Sequence, residues 1–441
     1  MKPMAHQEQS LKFMLGKKRV FDASDAGTGK TYVQIMDFVR QHKKDKKAML
    51  VLCPKSLMQA AWANDIRKFA PHLRVSLCYA KGRKEALEAE ADVYVVNVDG
   101  VKDIFKYPKS FWKKFGRLVI DESEAYKHHT SQRSKAVAKI ATYFEYVRLM
   151  SGTPATNGIC DLWHQYYILD GGQRLGKSFF AFRNACCIAE QTGPSANHVT
   201  WVDRPGIEVV VGELIKDITI RHKLDECVDL PENHEYAVNF TLSKKHQAVY
   251  EELKNESLAI LRETTVTAVN GAVLAQKLLQ AASGAVYSDD GAYAYLASER
   301  YELALDLVEA RDHSVVFYLW DHQRDELVKE ARARKLSYAI WDPDRPTIVD
   351  EFQNGQYRVL FAHPASAGHG LTLTRGNATI WTSPTYNLSW WAQGNRRVHR
   401  IGKKHKSESI VIVAEGTIDE HVYAALQGKN LNMVALLNEL E

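Results

Sequence analysis

The apolar residues of this chain fall into two rhythms. KKAMLVLCP (46–54), RVSLCYA (74–80), ADVYVVNV (91–98) and GRLVIDE (116–122) are short runs rich in Val, Ile and Leu with little polar alternation, the pattern of strands buried on both faces. RVFDAS (19–24) and VRLMSGTP (147–154) read the same way. Between these runs, SLMQAAWANDIRKF and GRKEALEAEA space their apolar residues as helices do. This alternation predicts an α/β unit in which helices cover a parallel sheet.

The rhythm breaks over 160–200, which is rich in aromatic residues, Gly and Cys. Helical periodicity marks 206–226, and VDLPENHEYAVNF (228–240) is expected to be a connecting hairpin or extended segment. Mostly helical sequence runs on to about residue 310. Strand–helix alternation then returns with HSVVFYLW (313–320), LSYAIW (336–341), YRVLFAHP (357–364), NATIWTSP (377–384) and SIVIVAEG (409–416), and the chain closes on the helical TIDEHVYAALQGKNLNMVALLNEL. The expected organisation is one α/β domain over 1–190, a mostly helical insertion or linker over 191–305, and a second α/β domain over 306–441 with C-terminal helices. No internal repeat or low-complexity tract interrupts it.

Composition narrows the class without naming a function. With 441 residues, 45% hydrophobic and 25% charged, the chain is ordinary globular material and long enough for two or three domains. A formal net charge of +5 tolerates a nucleic-acid partner without arguing for one. The start, MKPMAHQEQSLKF, has neither an apolar core nor a small-residue cleavage site and is not expected to be a signal peptide. No run of about 18 apolar residues suits a membrane span. Cysteines 53, 78, 160, 186, 187 and 227 follow no paired spacing, so they are expected to be free thiols in a reducing compartment.

The chemistry begins at FDASDAGTGKT (21–31). A phosphate-binding loop of the form G-x-x-x-x-G-K-[ST] would open on glycine, and here that place is Ser24. Gly27 and Gly29 can adopt conformations that turn backbone N–H groups inward around phosphates, with Thr28 between them. Lys30 would reach the β- and γ-phosphates, and the Thr31 hydroxyl would ligate Mg²⁺. The following TYVQIMDFVRQH reads as the helix whose N-terminus faces the anion. Downstream, GRLVIDESE sets Asp121 and Glu122 at a strand tip. This placement suits a divided role: Asp121 holds Mg²⁺, and Glu122 orients and deprotonates the attacking water. In the last α/β stretch, QGNRRVHRIGKK (393–404) places Arg397 and Arg400 three apart, on one face if the segment is helical. Two such arginines can stabilise charge on a transferring phosphate. FAHPASAGHGLTLTRGN (361–377) adds a Gly- and hydroxyl-rich loop carrying Gly370.

Together these segments resemble the Swi/Snf-type ATPases of helicase superfamily two, across nearly the whole chain. Gln7 sits where that family has an adenine-recognising glutamine. DAGTGKT resembles motif I, whose first glycine is commonly absent in the family. VLCPKSLMQAAWANDIRKF resembles motif Ia with Pro54 and Trp62 in place, IDESE motif II and LMSGTPATN motif III. IKDITIRHKLDECVDLP resembles the stretch after the first motor domain, with Arg221 in its basic position. VVFYLW, SAGHGLTLT and QGNRRVHRIGKK resemble motifs IV, V and VI. Two departures stand out. Motif II usually ends in His, a position that couples the ATP site to motif III, and this chain has Glu124. Motif VI usually carries an acid where this chain has Arg396, and Lys403 replaces its final Gln, adding positive charge.

The resemblance implies two RecA-like P-loop domains with parallel sheets. ATP and Mg²⁺ would bind between them, and Arg397 and Arg400 would close on the nucleotide. It also implies a duplex-DNA translocase that moves without processive unwinding and binds without sequence preference. Lys55, Ser56, Ser151, Gly152, Thr153, Ser366, Thr372 and Thr374 would be the phosphate contacts. There is no room for a histone-reading module, which points to a compact motor of the bacterial or phage type, working in a bacterial or host cytoplasm. A nuclease or a replication or recombination protein would be a suitable partner. The rival expectations are an RNA- or branched-DNA-directed remodeller on the same motor, or an ATP-dependent switch acting on a protein.

Overall fold

The structure, a computed structural model, describes residues 2–191, 199–263, 268–288, 290–367 and 371–438. The chain divides into two compact units, one of residues 1–190, 200–229 and 429–441, the other of 191–199 and 230–428. Each has its own parallel sheet.

In the first unit the strands are β1 (Arg19–Asp22), β2 (Ala48–Cys53), β3 (Val75–Cys78), β4 (Val93–Asn97), β5 (Phe115–Asp121) and β6 (Tyr146–Met150). Beyond a two-stranded ladder of β7 (Cys187–Gln191) with β8 (Val199–Asp203) comes β9 (Thr219–Ile220). Among the described residues the sheet has seven strands in the order β3-β4-β2-β5-β6-β1-β9. All its ladders are parallel. Every residue of β2 and β5 is buried, as the unbroken apolar runs require. Parallel pairing puts the C-terminal ends of β1, β5 and β6 side by side, so one edge of the sheet receives the phosphate-loop sequence, the Asp121-Glu122 pair and Ser151.

The helix Lys30–Asp45 is fastened to that sheet by charge as well as by packing. Asp37, 5% exposed, accepts from Arg117 of β5 (2.6 Å) and from Arg148 of β6 (Nε 3.3 Å, Nη2 3.2 Å). Both arginines are 1% exposed, and burial followed by the neighbouring Arg117 charge lowers Arg148 to about 10. Backbone carbonyls and amides complete the shell: Arg148 also donates to Lys17 O, and Arg117 to Gln41 Oε1.

The second unit contains β10 (Asn233–Phe240), the hairpin β11 (Ala285–Tyr287) with β12 (Tyr293–Tyr295), and then β13 (Ser314–Phe317), β14 (Tyr338–Ile340), β15 (Val359–Ala362), β16 (Ala378–Trp381) and β17 (Ser407–Ala414). Its main sheet runs β10-β17-β16-β13-β15-β14, again all parallel. The segment expected as a hairpin or extended connection at 228–240 is therefore extended, and it forms the edge strand β10 of this sheet. Its half-exposed burial pattern is that of an edge, which hides the strand from a search for buried runs. A buried Arg300–Asp419 pair (2.5 Å) ties the helix Glu299–Glu309 to the start of the C-terminal helix, with the same guanidinium donating to Thr382 O, Ile412 O and Ala282 O.

Removing the acid from the first unit's buried triad leaves two guanidinium groups facing each other out of water. Asp37→Ala is expected to cost about 3–5 kcal/mol, read as a lower denaturant midpoint by tryptophan fluorescence. A loss below about 1 kcal/mol would show that the triad is not what fastens this helix.

Candidate active site

The loop after β1 has the geometry its glycines predict. Gly27 and Gly29 sit at φ 94° and 81°, in the left-handed region that side chains resist. Gly29 caps the helix Lys30–Asp45, so its first-turn N–H groups and positive dipole end face the loop. A Cβ on Gly29 would come within 2.4 Å of Gln7 Nε2. The Lys30 ammonium folds across the loop onto Ser24 O (2.6 Å) and Asp25 O (3.1 Å), and Thr28 Oγ1 closes the turn on Asp25 O (2.9 Å). Ser24 itself donates its amide to Asp22 Oδ1 and accepts from His222 N through Oγ. The serine in place of the usual glycine thus earns a hydrogen bond from the segment after β9. Thr31 follows in the first helical turn.

Gln7 is buried at 5% exposure and bonded at both ends of its amide: Met4 N donates to Oε1 (3.0 Å), and Nε2 donates to Thr28 O (3.3 Å). His6 Nε2 meets the same carbonyl at 2.8 Å. The pair holds the loop at its Thr28 carbonyl. His6 was not singled out in the sequence, where a lone His carries no signal.

Asp121 ends β5, and Glu122 turns the chain with φ 54° and ψ 60°. A non-glycine residue there is strained by about 1–3 kcal/mol, a feature that clusters at functional sites. Asp121 Oδ1 accepts from Glu122 N (3.1 Å) and Oδ2 from the indole of fully buried Trp62 (3.0 Å). Burial, then the Glu122 charge, raises Asp121 to about 7, against the opposing pull of Trp62 and Lys30. Trp62 was legible as part of the motif Ia segment, but only the structure shows that its N–H is aimed at Asp121.

Next in the row is β6. Ser151, fully buried, donates its hydroxyl to Glu124 Oε2 (2.7 Å), and its amide reaches Asp22 O (3.2 Å). Its expected part as a nucleic-acid contact is therefore corrected: the hydroxyl has no access to solvent. Gly152 lies against the phosphate loop, where a Cβ would stand 3.1 Å from Ala26 N, and Thr153, 5% exposed, donates its amide to Ser151 Oγ. Lys55 and Ser56, by contrast, are exposed just beyond the tip of β2. Arg221 lies 3.7 Å from Asp25, bracing the loop from the β9 side.

In the second unit, the helix Leu388–Val398 ends before Arg400, so Arg397 and Arg400 do not share a helical face. They converge nonetheless. Arg397 Nη1 (3.5 Å) and Arg400 Nη1 (3.0 Å) both reach Leu371 O, and Arg400 also reaches Thr372 Oγ1 (3.2 Å). Thr374 Oγ1 accepts from Gln353, and Ser366 Oγ donates to His363 O. Lys403 is buried with its ammonium on the carbonyls of Thr374 and Gly376, and burial lowers it to about 8. Its charge is spent holding this loop. Gly370 lies outside the described residues.

Because the folded-state pKa of Asp121 lies above that of the unfolded chain, this group's stabilising contribution is complete below about pH 4 and is lost as pH rises to about 7. In metal-free buffer, the unfolding free energy of Asp121→Asn minus that of wild type should climb by up to about 1.4 kcal/mol per pH unit across that window and level off above it. The hydrogen bond lost with the substitution adds only a constant. A difference that stays flat with pH would mean the carboxylate is ionised throughout.

The family model described as the SNF2-related domain matches residues 6–284, more than half of the chain. Protein p41 of Acyrthosiphon pisum secondary endosymbiont phage 1 is 28% identical over 466 residues, covering 100% of this chain and 98% of that protein. YwqA of Bacillus subtilis (strain 168), named as an ATP-dependent helicase/translocase, is 25% identical over 436 residues, 92% of this chain. The chain spans 45% of the length of YwqA. A solved structure titled as the Sulfolobus solfataricus SWI2/SNF2 ATPase core in complex with dsDNA gives a TM-score of 0.44 at 20% identity, over 99% of this chain and 93% of that one. With its phosphate loop set beside two strand-tip carboxylates, and with the family model covering the first sheet and beyond, the chain belongs to the SNF2-related domain family and is an ATP-binding, ATP-hydrolysing enzyme.

Proposed function

We propose that this enzyme is a double-stranded DNA translocase, or remodelling ATPase, that couples hydrolysis of ATP to ADP and phosphate to movement along duplex DNA without processive strand separation. The observation that carries the reading is the row formed by the tips of β1, β5 and β6, where a phosphate cradle, a buried Asp and a strained Glu stand side by side. The p41 and YwqA relatives, one from a phage and one from a bacterium, support placing it in bacteria or their phages, working in the bacterial cytoplasm or the cytoplasm of a phage's host. Its six cysteines are free. Among the described residues, no helix is long and apolar enough to cross a membrane.

The roles follow from the geometry. Backbone N–H groups of Gly27, Thr28 and Gly29 cradle the phosphates, and Lys30 moves from the loop carbonyls to neutralise charge on the β- and γ-phosphates. Gln7 would recognise the adenine. Glu122 orients the attacking water and accepts its proton. Among the described residues no cluster of three acids, histidines or cysteines could cage a metal, which suits Mg²⁺, an ion that keeps waters and phosphate oxygens and asks the protein for one or two oxygens. Thr31 and Asp121 would hold it, and it would supply charge neutralisation at the phosphates. Arg397 and Arg400 would stabilise charge on the transferring phosphate, and Gly370, next to Leu371 in sequence, would be a further nucleotide contact.

Duplex DNA would be held through its phosphates, by exposed Lys55 and Ser56 in the first unit and, alongside them, Gly152 and Thr153. Ser366, Thr372 and Thr374 would contribute from the second unit. The motor domains are proposed as residues 1–190 and 306–441, with 191–305 as a family-specific region that lends β9 to the first sheet and β10 to the second. Such contacts position the protein without reading bases, and a nuclease or a replication or recombination protein could use the movement.

The test is the steady-state ATPase rate with no polymer, single-stranded DNA, duplex DNA and RNA, beside Lys30→Ala. Duplex DNA is expected to stimulate turnover at least tenfold, an effect that weakens steeply with salt and that Lys30→Ala abolishes. Stimulation by RNA or by single strands would keep the motor and change its track. A flat response to every polymer would favour an ATP-driven switch acting on a protein.

A further inference from the structure

The first unit has a second recess, lined in part by the helices Gln132–Ala141 and Cys160–Asp170 and by the loop that follows the latter. Its volume is about 720 Å³, and its lining shares no residue with the phosphate loop or with the tips of β5 and β6. Arg19, which lines it, begins β1, whereas the phosphate loop follows the end of that strand. A cavity of this size takes a molecule as large as a nucleotide and is far larger than a bare anion needs.

Charge in the recess is one-sided. Four cations line it, Arg19, Lys135, Lys139 and Lys177, against one acid, Asp170. The acid is already satisfied, accepting from the amides of Gly172 (2.9 Å) and Gln173 (3.0 Å) and from Arg174 Nη1 (3.0 Å). Arg19 is fixed by donating to Phe144 O (3.2 Å). Among the described residues, the three lysines have no carboxylate in ion-pair contact. Lys135 and Lys139 stand one turn apart on one helix, where like charges repel. Their field reaches the aromatic groups: burial, then the Lys135 charge, lowers His129 below the ordinary histidine range, and His129 meets Trp163 edge-on at 5.6 Å.

The helix Cys160–Asp170 supplies the aromatic part. Trp163 and Tyr167 stack at 5.2 Å with ring planes 23° apart, and His164 lies nearly parallel to Tyr167 at 6.0 Å. The Trp163 N–H is anchored on Gly176 O (3.1 Å). His164 is 4% exposed, and its Nδ1 donates to Tyr126 O at 2.7 Å. Burial lowers it to about 4, so at neutral pH the ring is uncharged and Nε2 is an acceptor. Among the described residues, neither His164 Nε2 nor the Tyr167 hydroxyl has a hydrogen-bond partner.

We propose that this recess is a second nucleotide site: it takes a nucleoside phosphate, with the phosphate held by Lys135, Lys139, Lys177 and Arg19, and the base set against Tyr167 and donating an N–H to His164 Nε2. The two parts of the lining match the two parts of that ligand. Inorganic phosphate would leave the aromatic groups and His164 unused, and an uncharged aromatic molecule would leave the cations unmet. The recognised chemistry is the same in a free nucleotide and in the phosphorylated end of a nucleic-acid strand.

The test uses the full chain and AMP, which lacks the β- and γ-phosphates that Lys30 would reach. In a Lys30→Ala background, isothermal titration is expected to show AMP binding with a Kd below about 1 mM. Replacing Lys135, Lys139 and Lys177, all exposed, by Gln in that background should weaken it by at least about tenfold. Inorganic phosphate should bind at least about tenfold more weakly than AMP. The same three substitutions in the otherwise wild-type chain should leave the basal ATPase rate within about twofold. A 5′-phosphorylated deoxyadenosine oligonucleotide is then titrated against bound AMP: displacement identifies a strand end as the source, and its absence identifies a free nucleotide. The proposal is overturned if AMP does not bind, if the three substitutions leave its affinity unchanged, or if phosphate binds as tightly as AMP, which would leave an anion site only. The ATP-site reading fails separately, through wild-type turnover in Lys30→Ala.

Discussion

The first unit depends on one buried acid. Asp37 sits in the middle of the helix that the phosphate loop opens, and it is held by arginines from the neighbouring strands β5 and β6, whose tips carry the Asp121-Glu122 pair and Ser151. Packing alone lets a helix slide or roll on a sheet by an ångström at small cost, whereas a buried charge pair has one good geometry and leaves an uncompensated charge if it is lost. The triad carries two positive groups and one negative, so it is costly to bury. What it provides is registration of the loop, the Asp121-Glu122 tip and the Ser151 tip, the three features on which the proposed chemistry depends.

The same edge concentrates strain and unfavourable charge. Glu122 adopts a left-handed backbone without being glycine, Asp121 is buried deeply enough to resist ionisation, and the Glu122 charge acts on Glu124 as well. Three acids along four residues would be untenable if all were ionised. The structure relieves them unequally: Trp62 and the Glu122 amide hold Asp121, Lys30 lies near enough to lower it, and Ser151 meets Glu124. A bound cation would complete that relief, and the arrangement fits a site whose stability improves when it is loaded.

Much of this was legible in the sequence because parallel sheets write themselves as flat apolar runs, and every run read as a strand in the first α/β stretch is a strand of its sheet. The glycines of the phosphate loop were legible for the same kind of reason, since few residues tolerate their backbone angles. What escaped was whatever depends on direction rather than identity. The extended segment at 228–240 could not be assigned to a sheet, because an edge strand is half exposed and lacks the flat pattern. Ser151 looked like a phosphate contact, as hydroxyls at strand tips often are, yet its side chain turns inward to Glu124. His6 had no distinguishing neighbours in sequence, Trp62 was legible only as part of a segment, and their partners, Thr28 O and Asp121 Oδ2, lie 22 and 59 residues away.

The second unit holds positive charge in place of negative. Arg397 and Arg400 come from the end of a helix and from the turn after it, so secondary structure alone does not align them. Both are oriented by the carbonyl of Leu371, in the loop that also carries Thr372 and Thr374. A lysine in either place could satisfy that carbonyl, but its ammonium is a point charge that one acceptor leaves free to rotate. A guanidinium is planar, so an acceptor at one edge fixes where its other edge points. Lys403 shows the contrast within the same loop: its ammonium is buried against two carbonyls and braces the backbone. The loop thus uses its lysine for support and its arginines for direction, which is the division a phosphate-charge role for Arg397 and Arg400 would need.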